Sequence, residues 1–356
     1  MATFDLAARK PRQAPANLPA LVGFGILAAI GIAAWILQLT QGLDLIAAGQ
    51  SIPWGLYIAA FFLLAGTGSG LLFLAASGDL EIFPALKADR ASLLTGALAS
   101  FIAASYMILM DIGRPERVFN MLFLPNFKSM FVWDFYCLAL SVILALLYLY
   151  LGPSKAVAGI AALLAAGVVL VEGWIPALSA GTPFWHSALI PVTFALEGLI
   201  AALSVVLLAR SQTPQALLKL LATLLPVVLV LSLVEAVTGI NGGNPDVVSS
   251  QGLLLGGSLA PFFWGQLALG IGLPFLLLIL AASSRIAVGL AAALAFVGVF
   301  VAKLDLLLAG QAFPFMAPPA TYTPTPVEIA GLIGGLGMAA FLFALGRLVI
   351  ATKTEP

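Results

Sequence analysis

The run WGLYIAAFFLLAGTGSGLLFLAAS, from Trp54 to Ser77, holds no Asp, Glu, Lys or Arg over 24 residues. A helix needs about 20 apolar residues to cross a bilayer core. Backbone groups in that core find no water and must pair within the segment, so the run reads as a membrane-crossing helix. The same reading recurs along the chain and gives ten spans: 18–40, 54–77, 91–110, 131–151, 156–176, 187–209, 215–239, 263–281, 285–308 and 327–350. The whole composition agrees. Of 356 residues 62% are hydrophobic and 8% charged, where a soluble domain carries about 25% charge. The fold class is all-α, a polytopic membrane protein of ten transmembrane helices.

Simple counts bound the chemistry. Fifteen Lys and Arg balance fifteen Asp and Glu, which leaves no basic surface for nucleic acid. The single cysteine, Cys137, excludes an intrachain disulfide and a self-contained iron–sulfur cluster, which takes four ligands. The single histidine, His186, excludes a bis-His haem, while His/Met ligation with one of seven methionines stays arithmetically open. No metal site is expected. The first residues, MATFDLAARKPRQAPANLP, are polar and basic and read as a cytoplasmic arm, not a cleavable signal.

Positive charge orients the spans. With the N-terminus inside, eleven of the fifteen basic residues are cytoplasmic: Arg9, Lys10, Arg12, Lys87, Arg90, Lys155, Arg210, Lys219, Arg285, Arg347 and Lys353. Lys303 lies within a span, and Arg114, Arg117 and Lys128 share one outer loop. Both termini are therefore expected inside. The exceptional loop, Asp111 to Asp134, also carries Glu116, Asn120 and Asn126. It is either a locally salt-bridged loop or a docking surface at the rim of a site.

Two span starts look alike, Ile52-Pro-Trp54 and Ile190-Pro-Val192. So do Val132-Trp-Asp134 and Phe263-Trp-Gly265. These pairs imply two parallel four-helix units side by side, spans 2–5 and 6–9, with spans 1 and 10 peripheral. The expected division is an arm at 1–17, a peripheral span at 18–50, a first bundle at 51–186, a second at 187–326, and the last span with its cytoplasmic tail at 327–356.

Charge inside a membrane is costly and marks function by default. Here it gathers in the outer half: Asp111, Glu172, Glu235, Lys303 and Asp305 near outer ends, Glu197 nearer mid-depth. That distribution favours a site opening outward over a midplane carrier site. Lys303 either neutralises Glu197 or Glu235 across helices or joins them in a proton relay. Trp54, Tyr57, Trp133, Trp174 and Trp185 fit an interfacial aromatic belt. Gly66, Gly68 and Gly70 allow close helix approach, or make room for a flat ligand.

Several motifs together resemble the NrfD/PsrC family of polysulfide-reductase-like membrane subunits. They are Ile52-Pro-Trp-Gly-Leu-Tyr-Ile58, Asp111-Ile-Gly-Arg-Pro-Glu-Arg-Val-Phe-Asn120, Trp133-Asp134 and Gly181-Thr-Pro-Phe-Trp-His186 with Pro191. Ala309-Gly-Gln311, Tyr322-Thr-Pro324 and Glu328 complete the set. The likeness spans residues 50–330, and ten spans resemble the longer branch that includes alternative complex III membrane subunits.

The resemblance implies a haem-free subunit, without an iron–sulfur cluster of its own, in a bacterial-type inner membrane. It would exchange electrons and protons with menaquinone or ubiquinone at an outer pocket of the first bundle. A four-cluster-type iron–sulfur subunit would dock over that pocket, with a molybdopterin enzyme or multihaem cytochrome beyond it. The quinone site would be framed by Trp54, Tyr57, Asp111, Arg114, Asp134 and Glu172. Glu172 stands where shorter members carry a quinone-contacting tyrosine, and apolar residues around Ile58 and Phe61 replace a histidine and an asparagine of some members. Glu197, Glu235, Lys303 and Asp305 would form a proton path, and Arg114, Glu116, Arg117, Lys128 and His186 would meet the partner. Two other classes compete. A secondary transporter or proton channel predicts transport by the chain alone, and a plain membrane anchor predicts dispensable carboxylates.

Overall fold

The computed structural model describes residues 18–49, 52–179, 181–210, 214–313 and 321–352. The arm 1–17, with Arg9, Lys10 and Arg12, and Lys353 in the tail lie outside the described residues. Ten helices are long and apolar enough to cross a membrane. They are α1 (Leu18–Gln41), α2 (Leu56–Asp79), α3 (Arg90–Ile112), α4 (Met130–Leu151) and α5 (Lys155–Ala177). Then come α6 (Ile190–Ala209), α7 (Gln215–Asn241), α8 (Ala260–Leu280), α9 (Arg285–Gln311) and α10 (Pro326–Thr352). Among the described residues there is no strand. The chain is a multi-pass membrane protein, as its sequence implies.

Local chemistry fixes the helix ends. Ser154 and Ser284 accept the Val157 and Ala287 N–H groups and cap α5 and α9. Gly113 closes α3 at φ 69°, a left-handed conformation that suits glycine. The start of α10 is a capping box. Glu328 accepts the Thr325 N–H at 2.8 Å, and the Thr325 hydroxyl accepts the Glu328 N–H at 3.3 Å. Pro191 at the first turn of α6 places its start at Ile190, a little after the expected 187. An extra helix, Pro245–Leu255, stands between α7 and α8, where hydropathy alone implies only a loop. Within α8 the stretch Gln266–Gly272 is π-helical, which no apolar run signals.

Helices α2, α3, α4 and α5 close a ring of four, and α6, α7, α8 and α9 close a second. The rings meet along α2, α5, α6 and α9. Helices α1 and α10 pair with each other at the periphery, and of the two it is α10 that lies mainly against α3. Central α2 is buried along almost its whole length. Its glycines serve packing: a Cβ on Gly70 would fall 2.6 Å from the Gly198 carbonyl oxygen of α6, and Gly68 faces the Phe101 ring. Protein, not a flat ligand, fills the space beside them. The described parts of the connections 42–55, 113–129, 178–189, 242–259 and 312–325 lie at one loop-rich end, with shorter turns at the other.

Candidate functional site

At the loop-rich end of the first ring is a cavity of about 380 Å³. Helical spacing explains its walls. Ile58, Phe61 and Phe62 of α2 share one face, as do Ser105, Ile108, Asp111 and Ile112 of α3. Phe131, Asp134, Phe135 and Leu138 do the same on α4. Trp54 closes one side, and Val118 and Met121 reach in from the α3–α4 loop. The lining is apolar and aromatic apart from Ser105, Asp111 and Asp134. Asp134 is buried, and its Oδ1 has no partner among the described residues. An apolar space with two carboxyl groups suits a flat, mostly hydrophobic ligand bearing a few polar atoms.

Trp54, Asp111 and Asp134 thus line one cavity, but three other residues expected around the quinone do not. Tyr57 lies one residue off the Ile58–Phe61–Phe62 face. Its hydroxyl points to α1 and α10, 3.3 Å from Gln38 Oε1 and 3.3 Å from the Val327 carbonyl. Arg114 stands exposed beyond the αL turn at Gly113. Glu172 sits behind the wall, fully buried, with neither carboxyl oxygen partnered among the described residues. It is within electrostatic reach of Asp134 and of Lys303 in the second ring. Ile58 and Phe61 are cavity walls.

The second ring gathers the other charges. Lys303 Nζ lies 2.6 Å from Glu197 Oε2 and 3.0 Å over the Phe194 ring. Of the two carboxylates weighed for it, Glu197 is the ion-pair partner. Glu235 instead accepts the Ser187 hydroxyl at 2.7 Å. Glu197, Glu235, Lys303 and Asp305 all border a narrow cavity of about 80 Å³. It shares Glu235 and Gln251 with a cleft of about 250 Å³ lined by His186 and Ser187. Gln251 and Gln266 escape sequence reasoning, because they belong to the extra short helix and the π-helical stretch. A π-bulge often marks a functional position.

Arg114, Glu116, Arg117 and Lys128 are all exposed, and none is in an ion pair among the described residues. The salt-bridged reading of that loop fails. The loop also exposes Phe119, Phe123, Leu124 and Phe127. His186 is exposed too, but beside the second-ring cleft.

The ten-helix fold defines a polytopic membrane protein with a cavity at its loop-rich end. The chain belongs to the NrfD family: the family profile, polysulphide reductase NrfD, matches residues 44–315. Three relatives match along most of their length. A putative dimethyl sulfoxide reductase membrane subunit of Halobacterium salinarum is 27% identical, covering 97% of this chain and 94% of that protein. A selenate reductase subunit of Mesobacillus selenatarsenatis is 22% identical over 90% of each. The Hdr-like menaquinol oxidoreductase integral membrane subunit of Archaeoglobus fulgidus is 24% identical, covering 92% and 91%.

Proposed function

We propose that this chain is the quinone-reactive membrane subunit of a multisubunit oxidoreductase, with the first-ring cavity as its quinone site. The carrying observation is that cavity: aromatic walls from α2 and α4 around two inward carboxyl groups, Asp111 and Asp134. The names of the three relatives support an oxidoreductase complex, and one of those names includes menaquinol. Menaquinol is therefore the favoured substrate, with ubiquinol the other.

Oxidation of a quinol to a quinone releases two electrons and two protons. In this reading Asp111 and Asp134 hydrogen-bond the ligand's oxygens and take the protons. Trp54, Phe61, Phe62 and Phe131 hold the ring and exclude water. The electrons pass to an iron–sulfur subunit docked over the exposed 113–129 loop, where Arg114, Glu116, Arg117 and Lys128 are free to pair with it. A molybdopterin or multihaem subunit lies beyond. Reduction of quinone runs the same steps backwards.

The ionisable groups do not stop at the cavity. They continue from Asp134 to Glu172 and on to the Lys303–Glu197 pair, Glu235 and Asp305 in the second ring. This favours a proton path between the rings, with Glu172 as its link. The positive-inside rule favours the loop-rich end on the outer face with both termini cytoplasmic, and the family resemblance supports a bacterial-type inner membrane.

The test is a titration of the purified full chain with a fluorescent hydroxyquinoline N-oxide, a quinone-site inhibitor. Saturable binding is expected. Asp134→Asn should weaken it about tenfold, the scale of one hydrogen bond to a charged group. Glu172→Gln should leave binding intact and depress turnover of the complex. Absence of binding by the folded wild type would return the transporter and anchor readings to the fore.

A further inference from the structure

Among the described lining residues Trp54 alone lies outside every helical turn, since Val118 and Met121 sit in the short turns Pro115–Phe119 and Asn120–Phe123 of the α3–α4 loop. Trp54 lies in the short extended segment before α2, where the backbone N–H groups have no intrahelical partner. Such a segment holds its shape only if something else satisfies it. The second ring does so. The Gln311 amide, at the end of α9 and buried, accepts the Trp54 N–H at 2.9 Å and donates to the Trp54 carbonyl at 2.8 Å. It also donates to the Leu307 carbonyl at 2.9 Å, which ties the side chain to its own helix. One primary amide thus pairs with both backbone groups of Trp54, as a neighbouring strand would.

The indole is held as firmly as the backbone. Trp185 stacks on Trp54 with ring centroids 5.1 Å apart and planes 13° apart. The Trp185 indole N–H donates to the Leu306 carbonyl at 2.8 Å, again on α9. Gly310 leaves the space for that ring. On its other side Trp54 meets Phe131 edge-on at 6.1 Å. None of this was needed to form the cavity's helical walls, yet all of it fixes the indole that closes the cavity. Lys303, Leu307 and Gln311 are spaced by four and share one face of α9. The helix that carries the second-ring ion pair therefore also grips the first-ring wall.

We infer that Gln311 of α9, and Trp185 of the α5–α6 connection held by its bond to α9, are positioning residues for the ligand site that set Trp54. The inference rests on the quinone reading. It assigns a task to the Ala309-Gly-Gln311 motif and makes the first-ring site incomplete without α9.

Two measurements on the full chain test it. Hydrogen exchange of the segment that contains Trp54 should be protected in the wild type and fast in Gln311→Ala. Titration with the hydroxyquinoline N-oxide gives a double-mutant cycle. Gln311→Ala should weaken binding about tenfold when Trp54 is present, and have no further effect on Trp54→Ala, because no wall remains to be set. Gln311→Glu keeps the acceptor but loses the donor, and should fall between wild type and Gln311→Ala. Unchanged exchange in Gln311→Ala would overturn the clamp. Fast exchange with strictly additive losses of affinity would overturn the positioning role. A wild type that is protected yet binds no inhibitor would sink the quinone reading instead, and the exchange data, which need no ligand, tell these failures apart.

Discussion

Tyr322 stands at the centre of a small network that pins three segments together. Its hydroxyl donates to Glu328 Oε1 at 2.8 Å and accepts the Leu56 N–H at 2.9 Å. The other oxygen of Glu328 accepts the Ala47 N–H at 3.1 Å. Burial is the main force pushing the Tyr322 hydroxyl above its ordinary range; the Leu56 N–H opposes it, and the Glu328 carboxylate adds to the rise. The folded chain therefore keeps this proton when the unfolded chain, with tyrosine near pH ~10, gives it up. Above that pH the unfolded state binds fewer protons, and stability falls as pH rises. The contribution is complete below about pH 10 and is lost above it. Tyr322→Phe should be less stable at neutral pH, by about 1–2 kcal/mol for the lost hydrogen bonds. It should also lose less on going alkaline. Thermal melts of both proteins across the alkaline range check this, and equal alkaline slopes would refute it.

Helix α2 shows what a sequence can and cannot convey about an element. Its span was plain, since 24 residues without charge admit little else. Its central place was not, because a helix apolar on every side gives no clue to which side meets protein and which meets lipid. Helix α1 reads much the same and yet lies at the edge, mostly exposed. The glycines were the only hint. Gly66 and Gly70 face Gly198 of α6, where the two rings come together. Gly70→Ala would put its Cβ 2.6 Å from the Gly198 carbonyl oxygen, whereas at Gly66 the nearest atom, the Gly198 Cα, is 3.3 Å away. Backbone cannot step aside as a side-chain tip can, so the rings must part. Gly70→Ala should cost about 1–3 kcal/mol, an overpacking penalty, and Gly66→Ala less. Melting temperatures in detergent give the order, and the reverse order would show that the interface yields elsewhere. The site was legible to the same degree. Asp111 was readable because charge in a span is conspicuous, whereas Asp134 entered only through the Trp133-Asp134 motif of the family resemblance. Tyr57 misled because its motif neighbours do face the cavity, and a single step along a helix turns a side chain by about 100°. Gln311 drew no role at all, because a lone amide at a helix end looks ordinary until its two partners on Trp54 are known.

The whole molecule joins two four-helix rings through α2, α5, α6 and α9, with the cavity in one ring and the Lys303–Glu197 pair in the other. What each end does depends on which side of the membrane it faces, and only the distribution of basic residues speaks to that. The short-turn end carries Lys87, Arg90, Lys155, Arg210, Lys219, Arg285 and Arg347, while Arg114, Arg117 and Lys128 sit together at the loop-rich end. Such an asymmetry orients membrane proteins by favouring positive loops in the cytoplasm. Orientation follows for the whole chain at once, since the ten helices are connected in alternation. A background carrying Cys137→Ser removes the native thiol, and Lys128→Cys and Lys155→Cys each add one at an exposed position on opposite ends. A membrane-impermeant maleimide applied to intact cells should label Lys128→Cys, and should label Lys155→Cys only after the membrane is opened. The opposite pattern would turn the cavity and its exposed aromatic loop toward the cytoplasm. A partner docked on that loop would then be a cytoplasmic protein, and protons released in the cavity would enter the cytoplasm.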